Sequence, residues 1–408
     1  MAITSSFSTQ RQLLLHLLMS LMTLIFLLFI GELIARVWVI PQSIPPPPPP
    51  SIIDPYQPNP YIVRMRPYLY FHIPHSKYIQ ARSSYQVNYE INRLGFRGPE
   101  ISPQPETGLK RLVTIGDSIT EGHGNPFNKT FSFVLGESLR PHQWEVINMG
   151  VQGASPLYYA VNLKRYLAVQ PDAILIVIFE NDLADDRTSE SVFFTLPVLD
   201  DETALLMKTT TQNFFTQWRL YTLLHRGWRH WVHSAAEKII AQNQVNVYTP
   251  TEQQAIQVFE EQQTQLNALK MRPKHLVAPA VFDKQWGMSQ AYLDYVVDAC
   301  RQQGITVMIA NISITGQEPD LNPAYSEHAR LLDEHISSWA KGRQLPFLSL
   351  LPTMTQIVKQ YQPFHSQVVI ADDGHPTSLT HTLIAGALQA WVIDNLPHPA
   401  KVFQPQLK

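Results

Sequence analysis

The chain has 408 residues, and its 31 lysines and arginines against 33 aspartates and glutamates leave a formal net charge of −2. That balance gives no electrostatic reason to expect a nucleic-acid partner. The single cysteine, Cys300, excludes an intramolecular disulfide bond, but it does not assign a redox compartment, because a lone buried thiol is tolerated anywhere.

Residues 1–40 predict a membrane anchor. The stretch from Leu13 to Ile30 has three polar residues and no Asp, Glu, Lys or Arg, and about 20 apolar residues are enough to span a bilayer. A cleaved signal peptide is the alternative, but no small-x-small cleavage site follows Ile30. We therefore predict a single-pass membrane protein. The flanking charges encode its orientation only weakly, and we place the catalytic domain outside the cytoplasm.

Residues 41–60 predict a linker, because positions 45–50 are six consecutive prolines. Such a run forms a polyproline II helix and acts as a semi-rigid spacer. Residues 61–105 then predict a small β-rich lead-in. Within it, 85–91 alternates partly as a strand does, and the Gly-containing segment 92–98 predicts a turn.

Residues 106–396 predict the main domain, an α/β fold in which apolar runs alternate with amphipathic stretches. Strands separated by helices favour a parallel sheet covered on both faces. The run 173–179 is continuously apolar, as a central buried strand should be. The predicted strands are 111–116, 145–149, 173–179, 305–311 and 346–350. The predicted helices include 128–139, 156–169, 287–303, 324–341 and 379–393.

A helical insertion at about 183–285 interrupts this alternation. It contains tryptophans, arginines and histidines close together: Trp218, Arg219, His225, Arg226, Trp228, Arg229, His230, Trp231 and His233. A basic-aromatic helix could touch lipid headgroups or line a substrate cleft, or it could simply pack its aromatic side on the domain. The histidine spacing matches no zinc pattern, so no metal site is predicted.

Four short segments carry candidate chemistry. Gly116-Asp117-Ser118 ends the first strand, a loop with Gly153 follows the second, and Asn181-Asp182 ends the long apolar strand. Asp372-Asp373-Gly374-His375 precedes the last helix. In a parallel sheet the carboxyl ends of these strands meet at one edge, where ligands bind.

These residue types fit serine-dependent ester chemistry. A serine hydroxyl becomes a good nucleophile when an imidazole accepts its proton and a carboxylate orients that imidazole. We assign these roles to Ser118, His375 and Asp372, and Asp373 competes with Asp372 as the orienting carboxylate. The oxyanion requires fixed hydrogen-bond donors, for which we predict the backbone N–H groups of Ser118 and Gly153 and the side-chain amide of Asn181.

In these four segments the chain resembles the SGNH (GDSL) hydrolase family, whose motif blocks contribute Ser, Gly, Asn and His. Gly116-Asp117-Ser118 is similar to the first block, Gly153 to the second and Asn181-Asp182 to the third, while Asp372 and His375 form the D-x-x-H pattern of the fourth. The resemblance implies a flavodoxin-like three-layer α/β/α sandwich and hydrolysis of acyl esters, often acetyl groups on carbohydrates. Some membrane-tethered relatives transfer acyl groups instead.

The third block departs from the family pattern. A glycine usually stands two residues before the asparagine, and this chain has Phe179 there. A ring at that position could reshape the acyl pocket or the turn that carries Asn181.

Our leading hypothesis is a membrane-tethered serine esterase that removes acyl groups, acetyl above all, from an extracytoplasmic glycan or other cell-envelope polymer. Three alternatives stay open: an O-acyltransferase acting on a polysaccharide, a lipase or thioesterase with the insertion as a lid, and a non-catalytic glycan-assembly protein. The glycines do not form a dinucleotide or phosphate loop, so no cofactor is predicted.

Overall fold

The computed structural model describes residues 69–186, 248–268, 276–313, 323–361 and 365–397, with parts of 16–30 and 52–66. Most of the predicted anchor, the proline-rich linker and the Trp-, Arg- and His-rich part of the insertion lie outside the described residues. In the described portion of the chain, no helix has both the length and the apolar character needed to cross a membrane.

The chain divides into two compact units. One consists of Met1–Pro49 and Thr195–Gln244, and the other of Pro50–Phe194 and Val245–Lys408. In the first unit, the described residues between 16 and 30 are helical. The strands and helices named below all belong to the second unit.

Short strands precede the main sheet, and the first of them, at residues 52–53, lies in the segment predicted as linker rather than in the predicted lead-in. Strand β1 (Ile52–Ile53) pairs in parallel with β4 (Lys77–Ala81), and β2 (Ile62–Arg66) pairs antiparallel with β3 (Leu69–His72). Strands β4 and β5 (Gln86–Glu90) form an antiparallel hairpin in which Ala81 pairs with Gln86. Residues 82–85 are therefore the turn of this hairpin.

The main domain is built on a five-stranded parallel sheet. Its strands are β6 Lys110–Ile115, β7 Trp144–Asn148, β8 Ala173–Phe179, β9 Thr306–Ile312 and β10 Phe347–Ser349. Across the sheet the order is β10-β9-β8-β6-β7, with every pairing parallel. This is the strand order of the predicted flavodoxin-like fold, and all five strands lie where the sequence predicts them.

We name eight helices of this unit in chain order; residues 182–186 are helical as well. The eight are α1 Ser118–Glu121, α2 Phe131–Leu139, α3 Pro156–Leu167, α4 Pro250–Ala268, α5 Phe282–Gln302, α6 Pro323–Gly342, α7 Leu351–Gln360 and α8 Ser378–Asn395. Helix α5 begins five residues before its predicted start, because a 3₁₀ turn at Pro279–Val281 runs directly into it. Helix α4 lies within the predicted insertion.

The sheet separates two hydrophobic cores, which makes the domain a three-layer sandwich. Residues of β8 alternate between them: Ile174 and Ile176 pack with α3, α5 and α6, whereas Leu175 and Val177 pack with α2, α7 and α8. All seven residues of β8 are apolar because both faces of this central strand are covered.

The chain order places a crevice at the carboxyl edge of the sheet. From β6 the chain moves outward to β7 and then returns past β6 to form β8 on the other side. Ligands of open α/β sheets bind at such a topological switch point. Strand β6 ends three residues before Ser118, so this edge is where the candidate site should lie.

Candidate active site

Ser118 is the first residue of helix α1, directly after β6. Asp117 caps this helix, since its side chain accepts a hydrogen bond from the Ile119 N–H at 2.9 Å. The first N–H groups of a helix have no acceptor within the helix. Both the hydroxyl and the backbone N–H of Ser118 are therefore presented at the edge of the sheet.

Ser118, His375 and Asp373 form a continuous hydrogen-bonded relay. His375 Nε2 lies 2.8 Å from Ser118 Oγ, and His375 Nδ1 is hydrogen bonded to Asp373 Oδ1. The Asp373 side chain is fully buried, whereas the His375 ring is 19% exposed. An imidazole held in this way can accept the serine proton while the carboxylate stabilises the resulting charge.

The sequence-based assignment of Asp372 as the partner of His375 is wrong. Asp372 accepts hydrogen bonds from the hydroxyls of Ser83 and Ser84, and its side chain is 24% exposed. These bonds lower the pKa of Asp372 to about 2. Asp373, and not Asp372, is the carboxylate that contacts His375 Nδ1.

The conformation of the loop that carries His375 explains why Asp373, and not Asp372, contacts its ring. The N–H groups of Asp373 and Gly374 both donate to the Ile370 carbonyl, and the Ile370 N–H donates to the His375 carbonyl. Gly374 has a φ of 89°, which favours glycine. In this tight turn Asp373 reaches the ring only two residues away, a D-x-H spacing in place of the family's D-x-x-H.

A second imidazole, His123, lies against the relay. Its ring stacks on that of His375 with centroids 4.2 Å apart, and its Nε2 lies 3.4 Å from Asp373 Oδ2. Burial lowers the pKa of His123, and His375 lowers it further. Burial alone would raise the pKa of Asp373, but hydrogen bonds from His123 and His375 hold it well below its usual range. Asp373 is thus kept as a carboxylate.

The loop that carries Gly153 is fixed against helix α1. Asn148 donates from its side chain to the Thr120 carbonyl at 2.6 Å, and the Val151 N–H donates to the Gly116 carbonyl at 3.0 Å. The Gln152 N–H donates to Glu121 Oε2. Gly153 itself has a φ of 70°. These contacts hold the second motif block beside the helix that begins with Ser118.

Glu121 anchors that loop as a buried anion. His72 Nε2 lies 3.2 Å from Glu121 Oε1, and both side chains are 1% exposed. Burial alone would raise the pKa of Glu121, but His72, followed by Arg97 and His123, lowers it. The lead-in therefore supports the nucleophile helix through His72.

Asn181 lies at the end of β8, but its side-chain amide donates to Asp185 Oδ2 at 2.9 Å. The structure thus places the predicted third donor at the right edge with its amide engaged by a neighbouring carboxylate. The Phe179 ring is partly buried and packs against the α2, α7 and α8 core. The ring of Phe179 is therefore part of that hydrophobic core.

Acidic groups surround the end of β8. Burial raises the pKa of Asp182 and of Asp185 well above the usual range, and the nearby Asp117 carboxylate raises both further. Burial also raises the pKa of Asp117 itself to about 6. This environment favours the protonated forms of Asp182 and Asp185.

Sequence reasoning missed Tyr85, Glu121 and His123. Glu121 and His123 closely follow the first motif block. Two titratable residues so near the nucleophile could have been recognised from the sequence as candidate site residues. Tyr85 gave no such signal, because it lies 288 residues from its partner Asp373.

Within the described residues, His123, Asp373 and His375 also form one group whose ligand atoms lie within 4.8 Å of one another. The hydrogen bonds of the relay account for this grouping.

The sequence model of the GDSL-like lipase/acylhydrolase family matches residues 114–383, more than half of the chain. None of the curated proteins matches.

Two solved structures illustrate the structural similarity. An acetylxylan esterase from Geobacillus stearothermophilus, in a mutant form, is 14% identical over 71% of this chain and 96% of its own, with a TM-score of 0.40. LAE5, an alpha/beta hydrolase enzyme from the metagenome of Lake Arreo, is 15% identical over 69% of this chain and 94% of its own, with a TM-score of 0.39. Likenesses this distant do not carry the substrates of those enzymes over to this chain.

Proposed function

Because the chain belongs to the GDSL-like lipase/acylhydrolase family, and is therefore an ester-hydrolysing enzyme, we propose that it removes acetyl groups from a glycan or other cell-envelope polymer outside the cytoplasm. The observation that carries the catalytic part is the relay from Ser118 Oγ through His375 to Asp373. The relay lies at the switch point of the sheet, where open α/β sheets bind their ligands.

The proposed mechanism follows from the relay. Ser118 Oγ attacks the ester carbonyl carbon while its proton passes to His375 Nε2, and Asp373 stabilises the imidazolium that forms. The tetrahedral intermediate collapses to an acetyl-enzyme, and His375 returns the proton to the departing sugar oxygen. Water, deprotonated by His375, then attacks the acetyl-enzyme; the bond to Ser118 Oγ breaks, His375 returns the proton to this oxygen, and acetate leaves.

The tetrahedral intermediate also requires hydrogen-bond donors for its oxyanion. We assign the backbone N–H groups of Ser118 and Gly153 to this role, which the fixed loop beside α1 supports. Asn181 would join them only after its amide leaves Asp185.

Membrane tethering is part of the proposal. The described residues between 16 and 30 are helical, and their apolar side chains are exposed, for example Met19 at 67% and Met22 at 68%. A stripe of exposed apolar residues would be covered if this segment lay in a bilayer. A tethered enzyme suits an immobile polymer better than a diffusing metabolite.

The experiment uses the full chain in detergent with an acetylated oligosaccharide and measures free acetate. Ser118→Ala should reduce turnover by about 10³-fold or more, because no other group replaces the nucleophile. Ser138→Ala is the matched control, since its hydroxyl only bonds the Leu135 carbonyl within α2, and it should retain activity.

The same assay separates the alternatives. Acetyl groups that appear on a second sugar, with little free acetate, would identify a transferase. Activity that rises with acyl chain length would identify a lipase or thioesterase. A wild-type protein that neither releases acetate nor reacts with a fluorophosphonate would leave only the binding or assembly role, and the proposal would fail.

A further inference from the structure

The turn of the lead-in hairpin, residues Arg82 to Tyr85, contacts the loop that carries His375. Ser83 and Ser84 donate their hydroxyls to Asp372, and Arg82 Nε lies 3.7 Å from the same carboxylate. The Tyr85 hydroxyl donates to Asp373 Oδ2 at 2.9 Å. Four consecutive residues of the hairpin therefore hold two consecutive residues of the loop.

Tyr85 acts on the oxygen of Asp373 that His375 leaves available. Asp373 Oδ1 is bonded to His375 Nδ1, and Oδ2 receives the Tyr85 hydroxyl together with the more distant His123 Nε2 at 3.4 Å. The last side-chain torsion of an aspartate has a broad energy profile. The His375 bond to Oδ1 alone would leave the carboxylate plane poorly fixed, and the contacts of Tyr85 and His123 at Oδ2 fix it.

The space for this contact is provided by Gly124. Its φ is +72°, and a Cβ added there would lie 2.6 Å from Ile370 Cδ1 and 3.3 Å from the Tyr85 ring. The Tyr85 hydroxyl also lies 3.3 Å from His123 Nε2. The ring of Tyr85 is thus seated between the segment that follows the nucleophile helix and the loop of the base.

We propose that Tyr85 is a positioning residue, and that the lead-in hairpin completes the active site by fixing the carboxylate that orients His375. This inference rests on the proposed function. It assigns a role in catalysis to a segment that lies before the region matched by the family, residues 114–383. The lead-in would then be part of the enzyme rather than a spacer.

The first test is Tyr85→Phe in the full-length protein, assayed with p-nitrophenyl acetate. We expect kcat to fall by roughly 10- to 100-fold, because small displacements of a catalytic group are costly, while KM changes less than about twofold. Tyr295→Phe is the control, since this tyrosine is 59% exposed on helix α5. The control should keep kcat within about twofold of the wild-type value.

A double-mutant cycle with Asp373→Asn tests whether Tyr85 acts through Asp373. If it does, Tyr85→Phe should reduce kcat by less than about threefold in the Asp373→Asn background, because the carboxylate it positions is already absent. Equal effects of Tyr85→Phe in both backgrounds would overturn the proposal. So would a Tyr85→Phe protein with wild-type kcat, whatever its thermal unfolding midpoint.

Failure of this inference can be told apart from failure of the proposed function. A wild-type protein that reacts with a fluorophosphonate at Ser118, combined with additive effects in the cycle, would reject only the role of Tyr85. A wild-type protein with no reaction at Ser118 would reject the proposed function first.

Discussion

Asp372 and Asp373 are adjacent in the chain, yet their carboxylates have different surroundings. Asp373 is fully buried and bonded to the base, whereas Asp372 faces the hydroxyls of the lead-in hairpin and is partly exposed. A carboxylate orients and compensates an imidazolium only where it contacts the ring. The burial and the contact both assign this task to Asp373.

Parallel substitutions of these two residues test that assignment. Asp373→Asn should reduce kcat by about 10²- to 10⁴-fold, because an amide favours the wrong tautomer of His375 and cannot compensate its charge. Asp372→Asn should cost no more than a few-fold. The measurement is kcat with p-nitrophenyl acetate for both full-length variants. The reverse order of effects would return the orienting role to Asp372.

At the scale of elements, the geometry of the site depends on how the loop after β7 packs on helix α1. A Cβ added at Gly150 would lie 2.5 Å from the Glu121 backbone nitrogen and 2.7 Å from the Thr120 carbonyl carbon. Neither backbone atom can move without shifting the helix that begins with Ser118. A side chain at this position should therefore separate Gly153 from the nucleophile.

We expect Gly150→Ala to lower kcat at least tenfold and to lower the thermal unfolding midpoint. Gly287→Ala is the matched control, because no atom lies within 4 Å of a Cβ added there. Gly287 lies within α5, where alanine should stabilise the helix by about 1 kcal/mol. Activity and thermal unfolding are measured for both variants. A Gly150→Ala protein with unchanged kcat would mean that the loop does not carry an oxyanion donor.

At the scale of the whole molecule, the tether is tested by flotation of the full-length protein with liposomes. Replacing Leu24 and Leu27 together by aspartate should release the protein, since each charge costs about 2.5–3.5 kcal/mol at the centre of a span. Tyr295→Asp, at a side chain that is 59% exposed on α5, is the control and should still float. Flotation of the double variant at the wild-type level would contradict the tether.

The sequence by itself determined the strands of the parallel sheet and two of the residues that meet at its edge, Ser118 and His375. The apolar runs that alternate with amphipathic stretches were sufficient to locate the five strands of the sheet, because a parallel strand covered on both faces needs a continuous apolar run. The motif spacing was sufficient to identify Ser118 and His375, because strand ends and the start of the last helix mark the edge of the sheet. Both are local properties of the chain.

Only the tertiary structure decided which carboxylate meets the ring, where the Asn181 amide points, and which loop the lead-in hairpin contacts. Ser118 and His375 are 257 residues apart, and Tyr85 and Asp373 are 288 apart. Adjacent aspartates have the same local propensities, so composition cannot rank them. The choice between them depends on a turn of the loop and on hydroxyls from a distant hairpin, and such contacts exist only once the chain has folded.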